Sequence, residues 1–180
     1  MIFTCIILEH IMAEFILLLV LQGMSIPESD IDAESFRCMT YNIYHESRGE
    51  GELGRLAVAH LVRERVKDKR FPSTVCGVVY FSLVKGDRTE CAFSWVCDIY
   101  ANDIQLMLRD GTTHKSNLKS FVASATIAAS ALTEKSINPC KGANYYYNPR
   151  KASPRWAKIY TPKCQIGKHT FMRREKGSLL

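Results

Sequence analysis

Glu46 ends an apolar helical stripe, and a carboxylate in that position invites a chemical explanation. Phe36, Met39 and Ile43 recur at helical spacing, and Glu46 follows Ile43 by three residues and Met39 by seven. Residues so spaced share one face of a helix, so the carboxylate projects from the side that should be buried. A carboxyl group withdrawn from water keeps its proton to higher pH. Beside a cleft, such an acid is what a glycosidic oxygen needs in order to leave. The plainer alternative is a structural carboxylate paired with Arg48 or Arg55, and spacing alone does not separate the two. Glu50 and Asp98 are the candidates for a second carboxylate. Glu50 stands past the expected helix end at Gly49, so it need not share the face of Glu46.

Other residue types suit the binding of a flat, hydroxyl-rich ligand. Tyr145, Tyr146 and Tyr147 are consecutive, and an aromatic face is an apolar platform for a sugar ring. Strand alternation turns Tyr146 away from its two neighbours, so at least one of the three belongs to the core; Tyr145 and Tyr147 are the binding candidates. Trp95 and Trp156 are subsite walls or packing residues, and His169 either lines the cleft or is a satisfied structural group. Arg48 is placed to orient Glu46 or to hold an anionic group of a substrate. No cysteine pair has the C-x-x-C spacing and the five histidines are scattered, so neither a metal nor a cofactor is expected.

The elements that must position these residues are mainly helical. Asp32 caps an expected helix to about Ser47, stopped by Gly49 and Gly51. A second runs from Glu52 to Val66, with Val58, Leu61, Val62 and Val66 inward and Arg55, Arg63, Glu64 and Arg65 mainly on the wet side. Phe71-Pro72-Ser73 is a break, and Ser73 caps a short helix through Tyr80. Residues 85–97 are turn-rich, then apolar and aromatic. Further helices are expected over Tyr100–Leu108 and Ser120–Lys135, the latter with a narrow stripe of Phe121, Ala125, Ala128 and Leu132. After Pro139 the segments Asn144–Asn148 and Gln165–Met172 read as short strands. The fold class is therefore α+β, mainly helical, a single domain with a small C-terminal β-hairpin or sheet.

Bulk properties bound the function. A chain of 180 residues that is 47% apolar can bury one core. The net charge is +6, and after Cys140 ten basic residues face a single acid, Glu175. That distribution suits an anionic partner, or is simply a solvated face. Cys38, Cys76, Cys91, Cys97, Cys140 and Cys164 form an even set, as in exported domains, although buried free thiols are the alternative and the pairing is not deducible. Phe15–Leu21 is an unbroken apolar run preceded by Glu14, His10 and Glu9, with no Lys or Arg before it. It reads as a degenerate export signal or signal-anchor capable of transient membrane association, or as a misplaced start, with Met12 and Met24 as later ones. Residues 1–30 are accordingly set outside the fold, leaving a domain over 31–175.

The segment Tyr41-Asn42-Ile43-Tyr44-His45-Glu46-Ser47-Arg48-Gly49-Glu50 is similar to the NIYHEARGE signature of the SleB/CwlJ family of cell wall hydrolases. That family includes spore-cortex lytic enzymes and relatives in bacteria and phages. The likeness continues through Gly54–His60, Arg65-Val66, Arg70–Tyr80, Phe93–Asp98, Ala143–Asn148, Trp156–Lys158 and Ile166–Phe171, in family order. Residues 80–91 and 98–120 match poorly, and Ser47 replaces the family's usual Ala. The resemblance implies a lysozyme-like core related to soluble lytic transglycosylases, with the catalytic glutamate at Glu46. It further implies peptidoglycan glycan strands as partner, no nucleic acid, and a monomer acting in the cell envelope. Cleavage between N-acetylmuramic acid and N-acetylglucosamine would then yield a 1,6-anhydro product with one carboxylate. Hydrolysis would call on a second, Glu50 or Asp98. On that substrate Arg48 would either orient Glu46 or meet a carboxylate of the stem peptide. Two rivals stand beside this reading: a non-catalytic module binding envelope or nucleic acid through the basic tail, and an amidase or peptidase, for which no Cys–His or zinc spacing is found.

Overall fold

The apolar N-terminal stretch is the first place where the structure departs from the sequence reading. The computed structural model describes residues 14–85, 88–98, 114–175 and 177. Residues 14–23 form a helix, α1, whose Leu17, Val20 and Leu21 join Ile26 and Ile31 in the main hydrophobic core. Glu14 at its start pairs with Arg37 at 3.7 Å. The segment set outside the fold is thus part of it from residue 14, because its apolar residues fall at helical spacing and find a core to cover. Among the described residues no helix is long and apolar enough to cross a membrane. The expected membrane contact falls partly on residues 1–13, which lie outside the described residues.

Helix α2 (Ala33–Ser47) begins at Asp32, whose backbone is extended and whose carboxylate accepts a 2.8 Å bond from the Ser35 N–H. The cap satisfies one donor that the helix start leaves open. Phe36, Met39 and Ile43 are buried as the stripe requires. The Ser47 hydroxyl donates to the Ile43 carbonyl at 2.7 Å, so the extra oxygen relative to alanine is satisfied within its own helix. The chain then turns through Gly49 and Gly51 into α3 (Glu52–Val66). Arg55 of α3 donates back to the Arg48 carbonyl at 2.9 Å, closing the corner between the two helices.

Within α3 the inward Val58, Leu61 and Val62 are buried and Val66 is half-buried. Arg65, expected on the wet side, is only 5% exposed. It lies one turn beyond Leu61, so the helix carries it inward whatever its charge. The short α4 (Val75–Val79) is capped by Thr74 and not by Ser73: the Thr74 hydroxyl accepts from the Gly77 N–H at 3.0 Å. A disulfide, Cys38–Cys76, ties α4 to α2.

Next comes an antiparallel hairpin of β1 (Ser82–Lys85) and β2 (Arg88–Cys91), with Ser82 opposite Cys91, where the sequence reading had no strand. Cys91 is bonded to Cys97, which closes the 3-10 turn Ser94–Cys97 that seats Trp95. The helix expected over Tyr100–Leu108 lies outside the described residues. Helix α5 (His114–Leu132) starts earlier than Ser120, and its Phe121, Ala125 and Ala128 are fully buried. Its small residues let it lie close along α2 and α3.

The C-terminal sheet has three antiparallel strands in the order β3–β5–β4: β3 (Tyr145–Tyr147), β4 (Thr161–Ile166) and β5 (His169–Arg173). Tyr146 is paired with Phe171 in the register, and Cys140–Cys164 fastens β4 to the loop before β3. The mainly helical α+β class with a small C-terminal sheet is the architecture the sequence led to.

Candidate active site

Glu46 sits in the last turn of α2, and its carboxylate meets the opposite side of the fold. The Tyr146 hydroxyl donates to Glu46 Oε2. The Tyr146 ring is stacked on Phe171, with centroids 5.6 Å apart, so β5 holds the donor in place. Burial pushes the Glu46 pKa up, while the Tyr146 bond and the Arg65 guanidinium act against that rise. Burial and the neighbouring glutamate push Tyr146 well above the ordinary phenol value, so its hydroxyl stays a donor. With Oε2 engaged by the tyrosine, a proton on the glutamate resides on Oε1, the oxygen free to act.

Arg65 supplies a buried positive charge behind this pair. Its Nε donates to the Asn144 carbonyl at 2.9 Å. Its guanidinium faces the rings of Phe93, Phe71 and Tyr145 at 5.0, 5.2 and 5.6 Å. Aromatic faces and one carbonyl replace water around the cation. Asn144 joins the two halves of the site: its side chain also donates to Asp68 Oδ2 at 3.0 Å and accepts from the Arg174 N–H. Burial pulls the Arg65 pKa down, and Tyr146, Tyr145 and Glu46 oppose that shift.

Glu50 is directed elsewhere. Its side chain is 13% exposed and lies 3.7 Å from His169 Nδ1. A Cβ placed on Gly167 would stand 1.9 Å from Glu50 Oε2, and one on Gly54 would stand 2.7 Å from Glu50 Cβ. Both glycines therefore make room for this carboxylate. The His169 ring in turn meets Tyr146 edge-on at 5.3 Å. Burial is the main cause pulling the His169 pKa down, with Glu50 opposing it.

Trp95 is 6% exposed, donates from its indole N–H to Asn42 Oδ1 at 3.1 Å, and stacks on His45 at 4.4 Å. It is a packing residue that fixes the helix face next to Glu46. Burial brings the His45 pKa down to about 4, so this imidazole is neutral at pH 7. Tyr145 packs against Tyr160 at 4.8 Å and Trp156 at 5.4 Å. Tyr147 meets Trp156 edge-on at 5.5 Å. These rings form a cluster on the other face of β3 from Tyr146, as alternation requires. Arg48 is exposed, with its guanidinium 5.6 Å from the Tyr44 ring. Asp98 is exposed and near enough to raise the His45 pKa slightly against burial.

The arrangement therefore brings Glu46, Tyr146, Arg65, His169 and Glu50 together, and sets Tyr145, Tyr147 and Trp156 in a separate aromatic cluster beside Arg65. Sequence reasoning missed Tyr146 and Arg65 as members of the site. The signal for Arg65 was present in its spacing from Val58, Leu61 and Val62. The signal for Tyr146 was the same alternation that set it apart from its neighbours, which did not reveal which face meets Glu46.

A family model described as Cell Wall Hydrolase matches residues 49–172. Glu50, Arg65, Trp95, Tyr146 and His169 fall within that span, and Glu46 lies three residues before it. The spore cortex-lytic enzyme of Bacillus cereus is 28% identical over 152 residues, 84% of this chain and 49% of that protein. The one from Halalkalibacterium halodurans is 30% identical over 135 residues, 74% of this chain and 33% of that protein. The chain thus spans about half the length of these curated relatives, or less. Among solved structures, the catalytic domain of the germination-specific lytic transglycosylase SleB from Bacillus anthracis superposes with a TM-score of 0.55 at 27% identity. That match covers 82% of this chain and all of that one. The catalytic domain of Bacillus cereus SleB gives 0.52 at 28% identity, covering 79% and 91%. The lysozyme-like class expected from the sequence is the fold these neighbours share. The chain belongs to the SleB/CwlJ-type family of cell wall hydrolases.

Proposed function

We propose that this protein is a peptidoglycan lytic transglycosylase that cleaves between N-acetylmuramic acid and N-acetylglucosamine with Glu46 as its catalytic acid and base. The observation that carries the reading is the environment of Glu46: a half-buried carboxyl with a raised pKa, one oxygen held by Tyr146 and the other free. Protonated Glu46 gives its proton from Oε1 to the glycosidic oxygen as the bond from that oxygen to the muramic C1 breaks. The glutamate is then an anion, stabilised by the Tyr146 hydroxyl and by the Arg65 charge. It takes the proton of the C6 hydroxyl of the same muramic sugar, whose oxygen closes on C1. The 1,6-anhydro ring forms, Glu46 regains its proton, and no water is consumed.

A single carboxylate suffices for this route. Supporting it, the Glu50 carboxylate is packed against Gly167 and His169, and Asp98 is exposed. The three disulfides support a working place in an oxidising compartment, the cell envelope, after export. We also infer a monomer, with the aromatic cluster of Tyr145, Tyr147 and Trp156 flanking the bound glycan strand.

The test is mass spectrometry of digested sacculi. Anhydro-muramic ends are expected from the wild type, and from Glu46→Gln a loss of at least about a thousandfold, the scale on which a proton-transfer group contributes. Reducing ends instead would replace transglycosylation by hydrolysis, and a Glu46→Gln variant with full activity would remove Glu46 from the mechanism.

A further inference from the structure

The rim beside the site carries a group of exposed cationic side chains. Arg150 and Lys151 lie on the turn after β3 and Lys168 on the β4–β5 turn, all three exposed. Among the described residues no carboxylate pairs with them, whereas Lys163, Arg173 and Arg70 each have an acidic partner. The two turns meet beside His169, because the β3–β5 register sets Tyr147 opposite Thr170 and so brings the chain after β3 alongside the β4–β5 turn; Lys151 and Lys168 both act to lower the His169 pKa. The His169 ring is 5.3 Å from Tyr146, the donor to Glu46. Glu50 lies 3.7 Å from His169 and is mostly buried. Unanswered cations around a site that must hold a proton work against protonation. They also concentrate anions at the mouth of a cleft. A mobile anion with several carboxylates suits lysine, a point charge on a flexible stem, better than a rigid fork.

Resting on the peptidoglycan reading above, we propose that Lys151 and Lys168, flanked by Arg150, bind the carboxylates of the stem peptide carried by the muramic residue at the cleavage point. The rim then distinguishes strands that bear acidic peptides from bare glycan.

The experiment measures binding, not turnover, so that it is separable from the mechanism. The full chain in the Glu46→Gln background is sedimented with intact sacculi and with glycan strands stripped by an amidase, which leaves only the lactyl carboxylate. At low salt, binding to intact strands is expected to be about tenfold tighter, the scale of a pair of exposed charge contacts. That preference should vanish in a Lys151→Glu/Lys168→Glu variant and persist in Lys119→Glu/Lys135→Glu, which has the same net charge. Lys151→Gln/Lys168→Gln replaces the reversal if the latter fails to melt cooperatively, and should lose most of the preference. Equal binding of the parent to both substrates, or equal loss in the rim and control variants, overturns the proposal. An equal loss on intact and stripped strands assigns the charge to the lactyl group and overturns the stem-peptide assignment. If the wild type makes no anhydro ends, the transglycosylase reading fails on its own, whatever the rim binds.

Discussion

At the scale of residues, the proposed mechanism depends on one proton being held and then released, and Tyr146 sets how tightly. Its hydroxyl stabilises the Glu46 carboxylate, opposing the rise that burial imposes. Tyr146→Phe keeps the ring on Phe171 and removes only the donor. The carboxylate is then less stable, the Glu46 pKa rises further, and the alkaline limb of the kcat/KM profile moves to higher pH. The rate at the optimum should fall about tenfold to a hundredfold, the value of one bond to a charged group. A profile whose alkaline limb stays in place would show that the hydroxyl does not act on Glu46. The inward face of Glu46 was legible in the spacing of Met39, Ile43 and Glu46. Its partner was not, because Tyr146 is 100 residues away and only the folded sheet brings it there. Arg65 was legible in spacing, but its charge argued for the wet side. That argument failed because three rings and a carbonyl take the place of water.

At the scale of elements, the β4–β5 turn is the joint between the sheet and the α2–α3 corner. Gly167 has φ of +56°, a conformation costly for any residue with a side chain, and its missing Cβ is what lets Glu50 approach. Gly167→Ala should therefore combine backbone strain with displacement of Glu50 from His169. A loss of about 2–3 kcal/mol is expected, of which the backbone part is about 1 kcal/mol. Gly177→Ala is the control, since Gly177 also has positive φ, at +87°, but faces open space. Urea denaturation of the two variants should differ, and production of anhydro ends should fall in Gly167→Ala as β5 shifts behind Tyr146. Equal costs in the two variants would mean that Glu50 does not occupy the space above the turn. Both long helices before the site were legible, because caps and stripes are local signals: Asp32, Glu52 and Val66 all mark ends. The β1–β2 hairpin was not. Leu83 and Val84 are 48% and 76% exposed, so no buried face imposes an alternating pattern.

At the scale of the molecule, the framework is held by an apolar core and by three cross-links spread along the chain. Cys38–Cys76 and Cys140–Cys164 close loops with sequence separations of 38 and 24. On the chain-entropy view each is worth about 3–4 kcal/mol. Six cysteines in an even set pointed to this framework, but their pairing depends on which elements meet, and that is not a local property. The N-terminal run misled for a related reason: a short apolar stretch reads the same whether it is an export signal or a helix that covers a core. What decides is whether a complementary surface exists, and here Leu17, Val20 and Leu21 join one core with Ile31 and Phe36. Leu21 is 5% exposed and borders a cavity of about 310 Å³ that also touches Ile31 and Phe36. Leu21→Ala should lower the unfolding free energy by about 2–3 kcal/mol, the lower part of the range for buried leucine, because the existing cavity leaves fewer contacts to lose. The measurement is the urea midpoint of the full chain, with Leu19→Ala, at a position 49% exposed, as the comparison. A helix that merely preceded the domain would leave both midpoints at the wild-type value. A helix that belongs to the core shifts only the first.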